Sequence, residues 1–418
     1  MTESLIRRHL TDLAEETLAD TPITVISGAR QVGKSTLMEQ LLVGRTARVV
    51  NLDNAADRQA AALDPDAFVA QFPEGILAID EVQRVPELTT ALKANVDRDR
   101  RPGRFLITGS ADLMTLRGSQ ESLAGRAETI PLDGLSQGEL RGNIEDFARF
   151  AWTLDDEGTP DGEDRYSRRD YLELATMPTF PGMRATTSRT RNRRLSNYVN
   201  RVLSKDTTDI TGIVHPDRLD SLLRLIAARN SGEFVAARVG REIDIPERSV
   251  PTYLDALRSV YLVRIVRGWS SNVASRAVST PKVSLSDTGL AAYLAGVDIA
   301  GIEQDASATL AGGFVEGFVL GELAKQRAWS AKDFTLSHFR DNHGREVDII
   351  LEDRRREVVG VEVKATSNPR GDDFRSLRYL RDKLGSRFRA GILLHTGTRS
   401  LPFGERMWAL PIATLWEH

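Results

Sequence analysis

A chain of 418 residues has room for roughly two to four domains, and with 41% hydrophobic and 28% charged residues it has a globular composition, which excludes a disordered or fibrous protein. It has no cysteine, so disulfides, zinc-thiolate sites, iron-sulfur clusters and thiol nucleophiles are excluded, and any metal must sit on carboxylates or histidine. The net charge of -3, from 56 basic and 59 acidic residues, gives no overall field toward nucleic acid. The start has no apolar leader core and no run reaches the roughly 18 apolar residues of a membrane span, so a cytoplasmic protein without membrane contact is expected.

Leu5, Ile6, Leu10, Leu13 and Leu18 recur at helical spacing and predict an amphipathic helix over the first 20 residues. Strand-like runs at 23–26, 48–52, 76–79, 104–108 and 129–132 then alternate with helical stretches. This alternation predicts an α/β domain, residues 1–140, with a parallel sheet between layers of helices. Residues 141–215 read as a lid or helical linker interrupted by an acidic loop, Asp155 to Asp164. Six arginines between Arg184 and Arg201 form a basic stripe, read either as a solvated face or as a phosphate contact.

Residues 216–275 have the pattern of a winged helix-turn-helix. One helix carries Leu219, Leu222, Leu223 and Ile226, and a second is expected over Glu233–Val239 with Ser231 as its N-cap. A third starts at Ser249, and the strand-like Tyr261–Val266 follows. Such modules contact DNA or other proteins. Residues 276–418 read as a further α/β domain, with strands at 282–285, 335–340, 347–352, 358–365 and 390–395 and helices at 312–326 and 373–384.

Gly28-Ala29-Arg30-Gln31-Val32-Gly33-Lys34-Ser35-Thr36 fits the phosphate-loop pattern between a strand and a helix. Its backbone N–H groups and the helix N-terminus would hold the phosphates of ATP, Lys34 would reach the β- and γ-phosphates, and Ser35 would coordinate Mg2+. The apolar strand 76–79 runs into Asp80 and Glu81, which places one carboxylate for Mg2+ and one to polarise the attacking water. Strand 104–108 ends at Ser110, suited to the γ-phosphate or that water.

Near the C-terminus, Glu346-Val-Asp348 and Val-Glu362-Val-Lys364 flank a charged turn. A hairpin centred on Arg355 pairs residues whose numbers sum to 710, so Asp348 faces Glu362 and Lys364 shares the face of Glu362. Two facing carboxylates and a lysine make a metal site with a cationic neighbour.

The phosphate loop, Ile-Asp-Glu81, Thr-Gly-Ser110 and Ser122-Leu-Ala-Gly-Arg126 together resemble the AAA+ ATPase domain of the archaeal-type ATPase family. The resemblance implies a sensor role for Ser110. It also offers Arg126, or else Arg117, as an arginine completing a neighbour's ATP site in a homo-oligomer, with a structural salt bridge as the alternative for Arg126. The C-terminal constellation resembles the PD-(D/E)XK nuclease core, which implies Mg2+ or Mn2+ on Asp348, Glu362 and the helical Glu316, with Lys364 assisting catalysis. Members of this ATPase family often carry a C-terminal domain of unknown function with these features, including Ser284-Leu-Ser-Asp-Thr-Gly-Leu290. The expected function is ATP turnover coupled to DNA binding and metal-dependent DNA cleavage. The alternative is a nucleotide-switched regulator whose nuclease-like domain binds a protein and does not cleave.

Overall fold

Five short strands are built into one sheet: β1 (Ile23–Ser27), β2 (Ala47–Asn51), β3 (Ile76–Asp80), β4 (Phe105–Gly109) and β5 (Ala127–Pro131). Their order is β2-β3-β4-β1-β5 and every pair is parallel. Helices cover both faces of the inner strands β1, β3 and β4, so each of their residues is buried, as their unbroken apolar runs require. Parallel strands all end on one edge, which brings the segments after β1, β3 and β4 together there. This computed structural model describes residues 5–111, 123–154, 165–207, 215–272, 276, 279–304 and 309–418.

The N-terminal helix is shorter than its apolar spacing predicts, running from Thr11 to Asp20, with Leu5 and Ile6 exposed. Glu139 is the cause. Its Oε1 accepts from Arg8 Nε and from the His9 backbone N–H, both at 2.9 Å, and these tertiary bonds hold residues 8 and 9 out of a helix.

The ATPase segment ends in the helix Gln137–Arg141, capped by Ser136 and Glu139, and the linker beyond it is helical and includes the basic Ser188–Arg201. The acidic run 155–164 lies outside the described residues. Beyond it come the helix Pro216–Ala228, β6 (Gly232–Glu233), the helices Ala236–Glu242 and Val250–Ser259, β7 (Val263–Val266) and β8 (Lys282–Leu285). The three strands form an antiparallel sheet ordered β6-β8-β7.

Two expectations are corrected here. The helix expected from Glu233 starts at Ala236, because Gly232 and Glu233 pair with β8, and Ser231 has φ 63° and does not cap it. The strand 282–285, assigned by sequence to the C-terminal domain, instead satisfies its backbone groups against β6 and β7, so a boundary at 275/276 cuts through this sheet.

A six-stranded sheet follows, ordered β13-β14-β12-β11-β10-β9. Its strands are β9 (Phe334–Arg340), β10 (Glu346–Asp353), β11 (Val358–Lys364), β12 (Phe388–His395), β13 (Leu401–Pro402) and β14 (Met407–Pro411). The β10–β11 hairpin pairs Ile349 with Val361 and Glu352 with Val358, which is the register expected from the sequence. One buried cluster runs from Leu10 through Tyr171 and Leu222 to Trp416, so the segments share a core. The helix Thr309–Gln326 joins them directly: Gln137 N donates to Glu322 Oε2 at 2.7 Å and Lys325 Nζ to the Leu135 carbonyl at 3.0 Å. Among the described residues no helix is long and apolar enough to cross a membrane.

Candidate functional site

The loop between β1 and the helix Lys34–Leu41 needs glycine twice. A Cβ on Gly28 would lie 2.1 Å from the Leu132 carbonyl oxygen, and Gly33 has φ 104°. Gln31 also takes a left-handed backbone, at φ 65°. The Val32 carbonyl accepts from Arg8 Nη1 at 2.8 Å, and Thr36 lines a cleft beside Arg8 and Gly33. Lys34 is buried, and its Nζ donates to the carbonyls of Gly28 at 3.1 Å and Ala29 at 3.0 Å, inside the turn built to hold phosphate.

Asp80 and Glu81 end β3 next to this loop. Ser35 Oγ donates to Asp80 Oδ2 at 2.9 Å, so the hydroxyl and carboxylate expected at Mg2+ already touch. Asn51 Nδ2 donates to the same oxygen at 3.2 Å and Thr108 to Oδ1, two partners that sequence reading missed. Glu81 has φ 60°, a costly backbone for a glutamate, held by its N–H donating to Thr108 Oγ1 at 3.2 Å. Ser110 Oγ donates to Glu81 Oε2 at 2.9 Å, and Gln83 Nε2 donates to Glu81 and, at 2.8 Å, to Ser110. Arg30 Nη2 lies 3.9 Å from Glu81 Oε2. A carboxylate held this way by a serine and a glutamine is aimed, which a water-polarising group needs.

Above Glu81 is a cavity of about 520 Å3 lined by Arg30, Asp53, Arg194 and Arg201. The basic stripe of Ser188–Arg201 therefore turns part of its charge toward the nucleotide site and not only to solvent. Arg126 is elsewhere. It precedes β5 at the edge of the sheet opposite the phosphate loop and binds Asp97 through Nε at 2.7 Å and Nη2 at 2.9 Å, which holds the Asp97 carboxyl below its ordinary range. Arg117 lies outside the described residues.

Of the second group of site residues, Glu316, Asp348 and Lys364 line a cavity of about 700 Å3 between the β6-β8-β7 unit and the C-terminal sheet. Asp348 on β10 and Glu362 on β11 face each other as the register requires; Asp348 Oδ2 accepts from Val363 N at 2.9 Å and Lys364 Nζ donates to Glu362 Oε1 at 2.7 Å. Burial, with Asp348 opposite, pushes the Glu362 carboxyl up to about 8. Glu316 does not join Asp348 and Glu362 in one ligand set. It binds Lys282, as do Glu346 and Asp348, at 2.8, 2.7 and 3.4 Å. Among the described residues no three acidic or histidine side chains surround a common metal position. Burial alone would lower Lys282, but Glu316, Asp348 and Glu346 outweigh it and hold the ammonium above its ordinary value. Sequence reading missed Lys282 because it comes from another sheet. Its only sequence signal is a lysine, rare in this chain, at the start of an apolar strand.

A parallel sheet ordered β5-β1-β4-β3-β2, with a phosphate loop after β1 and an acidic pair after β3, defines a P-loop ATPase domain of the AAA+ class. Residues 20–141 match the family described as AAA domain, residues 168–300 a domain of unknown function (DUF8612) and residues 311–415 another (DUF4143). These matches agree with an AAA+ ATPase domain followed by a C-terminal domain of unknown function, as the motifs suggest. Uncharacterized proteins of Mycobacterium tuberculosis and Mycobacterium bovis are each 29% identical to the chain over 366 residues, 87% of this chain and 75% of theirs. The Walker-type ATPase PABY2304 of Pyrococcus abyssi is similar at 17% identity and a TM-score of 0.41, over 70% of this chain and 97% of that one.

Proposed function

We propose that the chain couples ATP hydrolysis in its AAA domain to the binding of DNA by the 216–285 unit and to divalent-metal-dependent cleavage of phosphodiesters by the C-terminal domain. The observation that carries this reading is the β10–β11 register, which puts Asp348, Glu362 and Lys364 together beside a cavity shared with that unit. Helix, strand, two helices and two strands in that order, with the sheet order β6-β8-β7, support the winged-helix reading.

At the nucleotide site Ser35 and Asp80 would hold Mg2+, Glu81 would polarise water, and Ser110 and Gln83 keep its carboxylate aimed. At the C-terminal site the donor chemistry fits a hard divalent cation: Asp348 and Glu362 are facing carboxylates, and buried Glu362 Oε2 has no hydrogen-bond partner among the described residues. Mg2+ is commonly held by one or two carboxylates, with substrate oxygens completing its shell. Such an ion supplies Lewis acidity, and Lys364 places a positive charge where phosphoryl charge develops.

One observation favours a second reading, a regulator whose C-terminal domain binds a protein without cutting: Lys282 neutralises much of the acidic cluster from inside. Incubating the protein with plasmid and linear DNA, Mg2+ or Mn2+, with and without ATP, separates the two. Cleavage that is lost in both Asp348→Ala and Glu362→Ala, while ATP hydrolysis persists, supports the first. DNA left intact under every condition supports the second.

A further inference from the structure

Lys282 rises from β8 into a cluster of carboxylates that belongs to a different sheet and a different helix. Its side chain is 6% exposed and its three N–H donors meet three acids: Glu316 of the helix Thr309–Gln326, and Glu346 and Asp348 of β10. A buried ammonium is costly unless its charge is matched and its hydrogen bonds are made, and here both conditions are met. Glu316 and Glu346 lie 2.8 and 2.7 Å from Nζ and are bound closely to it. The looser contact, 3.4 Å, is with Asp348, whose other oxygen accepts from Val363 N.

The acids outnumber the cations: four carboxyl groups, Glu316, Glu346, Asp348 and Glu362, meet two ammonium groups, Lys282 and Lys364. Arg340 also touches Glu346, at 3.1 Å, and is shared with Glu233 at 3.3 Å. Lys282 and Lys364 leave one buried carboxylate oxygen of the cluster without a partner among the described residues, Glu362 Oε2. One divalent cation between Asp348 and Glu362 would partner it. A second one would need Glu316 or Glu346, and both are taken by Lys282.

We propose that the Lys282 ammonium fills the position of a second cation, so that the cluster takes a single divalent ion on Asp348 and Glu362. This rests on the metal-site reading of those two residues. Lys282 is a positioning residue: it acts through Glu316 and Glu346 and leaves coordination to the other two acids.

The test is Mn2+ binding to the full chain without nucleotide, followed by calorimetry and electron paramagnetic resonance. Ions lost in Asp348→Asn belong to this cluster, which separates them from any ion at Ser35 and Asp80. Wild type should lose a single, magnetically isolated Mn2+. Lys282→Met should gain a second ion coupled to the first, since paired metal sites lie about 4 Å apart, and Lys282→Arg should keep the wild-type count. A coupled pair already present in wild type overturns the inference and leaves the metal site standing. So does a folded Lys282→Met protein with the wild-type count and spectrum. Mn2+ binding unchanged by Asp348→Asn removes the metal site and the inference with it. Should Lys282→Met fail to fold by circular dichroism, the wild-type spectrum decides alone: an isolated ion supports the proposal and a coupled pair overturns it.

Discussion

Arg8 joins the phosphate loop to the helix Gln137–Arg141: it donates to the Val32 carbonyl at 2.8 Å and to Glu139 at 2.9 Å while its side chain is 8% exposed. Arg8→Met would leave Glu139 buried without its cationic partner. Removing one member of a buried pair costs about 3 kcal/mol, so the thermal midpoint should fall clearly. Because Arg8 also holds Val32, the KM for ATP should rise in the protein that remains folded. Scanning calorimetry and steady-state ATPase assays check the two effects separately.

Lys34 and Glu81 should fail differently. Lys34→Ala removes the charge placed at the phosphate turn, so both ATP binding and hydrolysis should be lost. Glu81→Gln should still bind ATP and lose about 10^2- to 10^4-fold in turnover, the range for a general base. Fluorescent-nucleotide binding beside phosphate release distinguishes them. Hydrolysis at the wild-type rate by Lys34→Ala would remove the phosphate loop from the mechanism.

Arginine can reach the ATP site in two ways, and protein concentration distinguishes them. Arg194 and Arg201 line the cavity over Glu81 of the same chain, so substituting them with Ala should lower hydrolysis at every protein concentration. Arg126 is on the far edge of the sheet, bound to Asp97, and can act only on a neighbouring molecule. Trans-supplied arginines contribute about 10^3 to 10^5 in rate, so a role for Arg126 requires specific activity that rises with concentration and a flat low rate in Arg126→Ala. Concentration-independent activity would leave Arg126 as the structural partner of Asp97.

His395 should make stability depend on pH. Burial pushes its imidazole down to about 4 from an ordinary 6.5, and Nδ1 accepts from Gly397 N at 2.9 Å. The unfolded chain therefore binds the proton first as pH falls. Stability should be full above pH about 6.5 and decline by about 3 kcal/mol as pH drops to about 4. Urea unfolding across that interval should show the slope in wild type and lose most of it in His395→Gln.

What can be read in the sequence is what local geometry determines. The phosphate loop is nine consecutive residues, and the pair Asp348–Glu362 follows from a hairpin whose turn fixes the register. The N-terminal helix and the cap at Ser231 are misread because Glu139 and β8, distant in sequence, decide the backbone there. Asn51, Thr108 and Lys282 are missed for the same reason: each reaches its partner through strand order, which no spacing rule contains. Strands β13 and β14 are too short or too uniformly apolar to show alternation.

Glu316 and Glu322 are six residues apart on one uninterrupted helix, about 9 Å along its axis. One faces the metal-type cluster, and the other receives the backbone of Gln137 from the ATPase side. A segment this stiff has no hinge between the two anchors, so a shift imposed at one would be passed to the other. If nucleotide and metal bind as proposed, a preference of one for a placement of this rod would appear, with the same free energy, as a preference of the other, and a substitution along the helix would be felt at both sites.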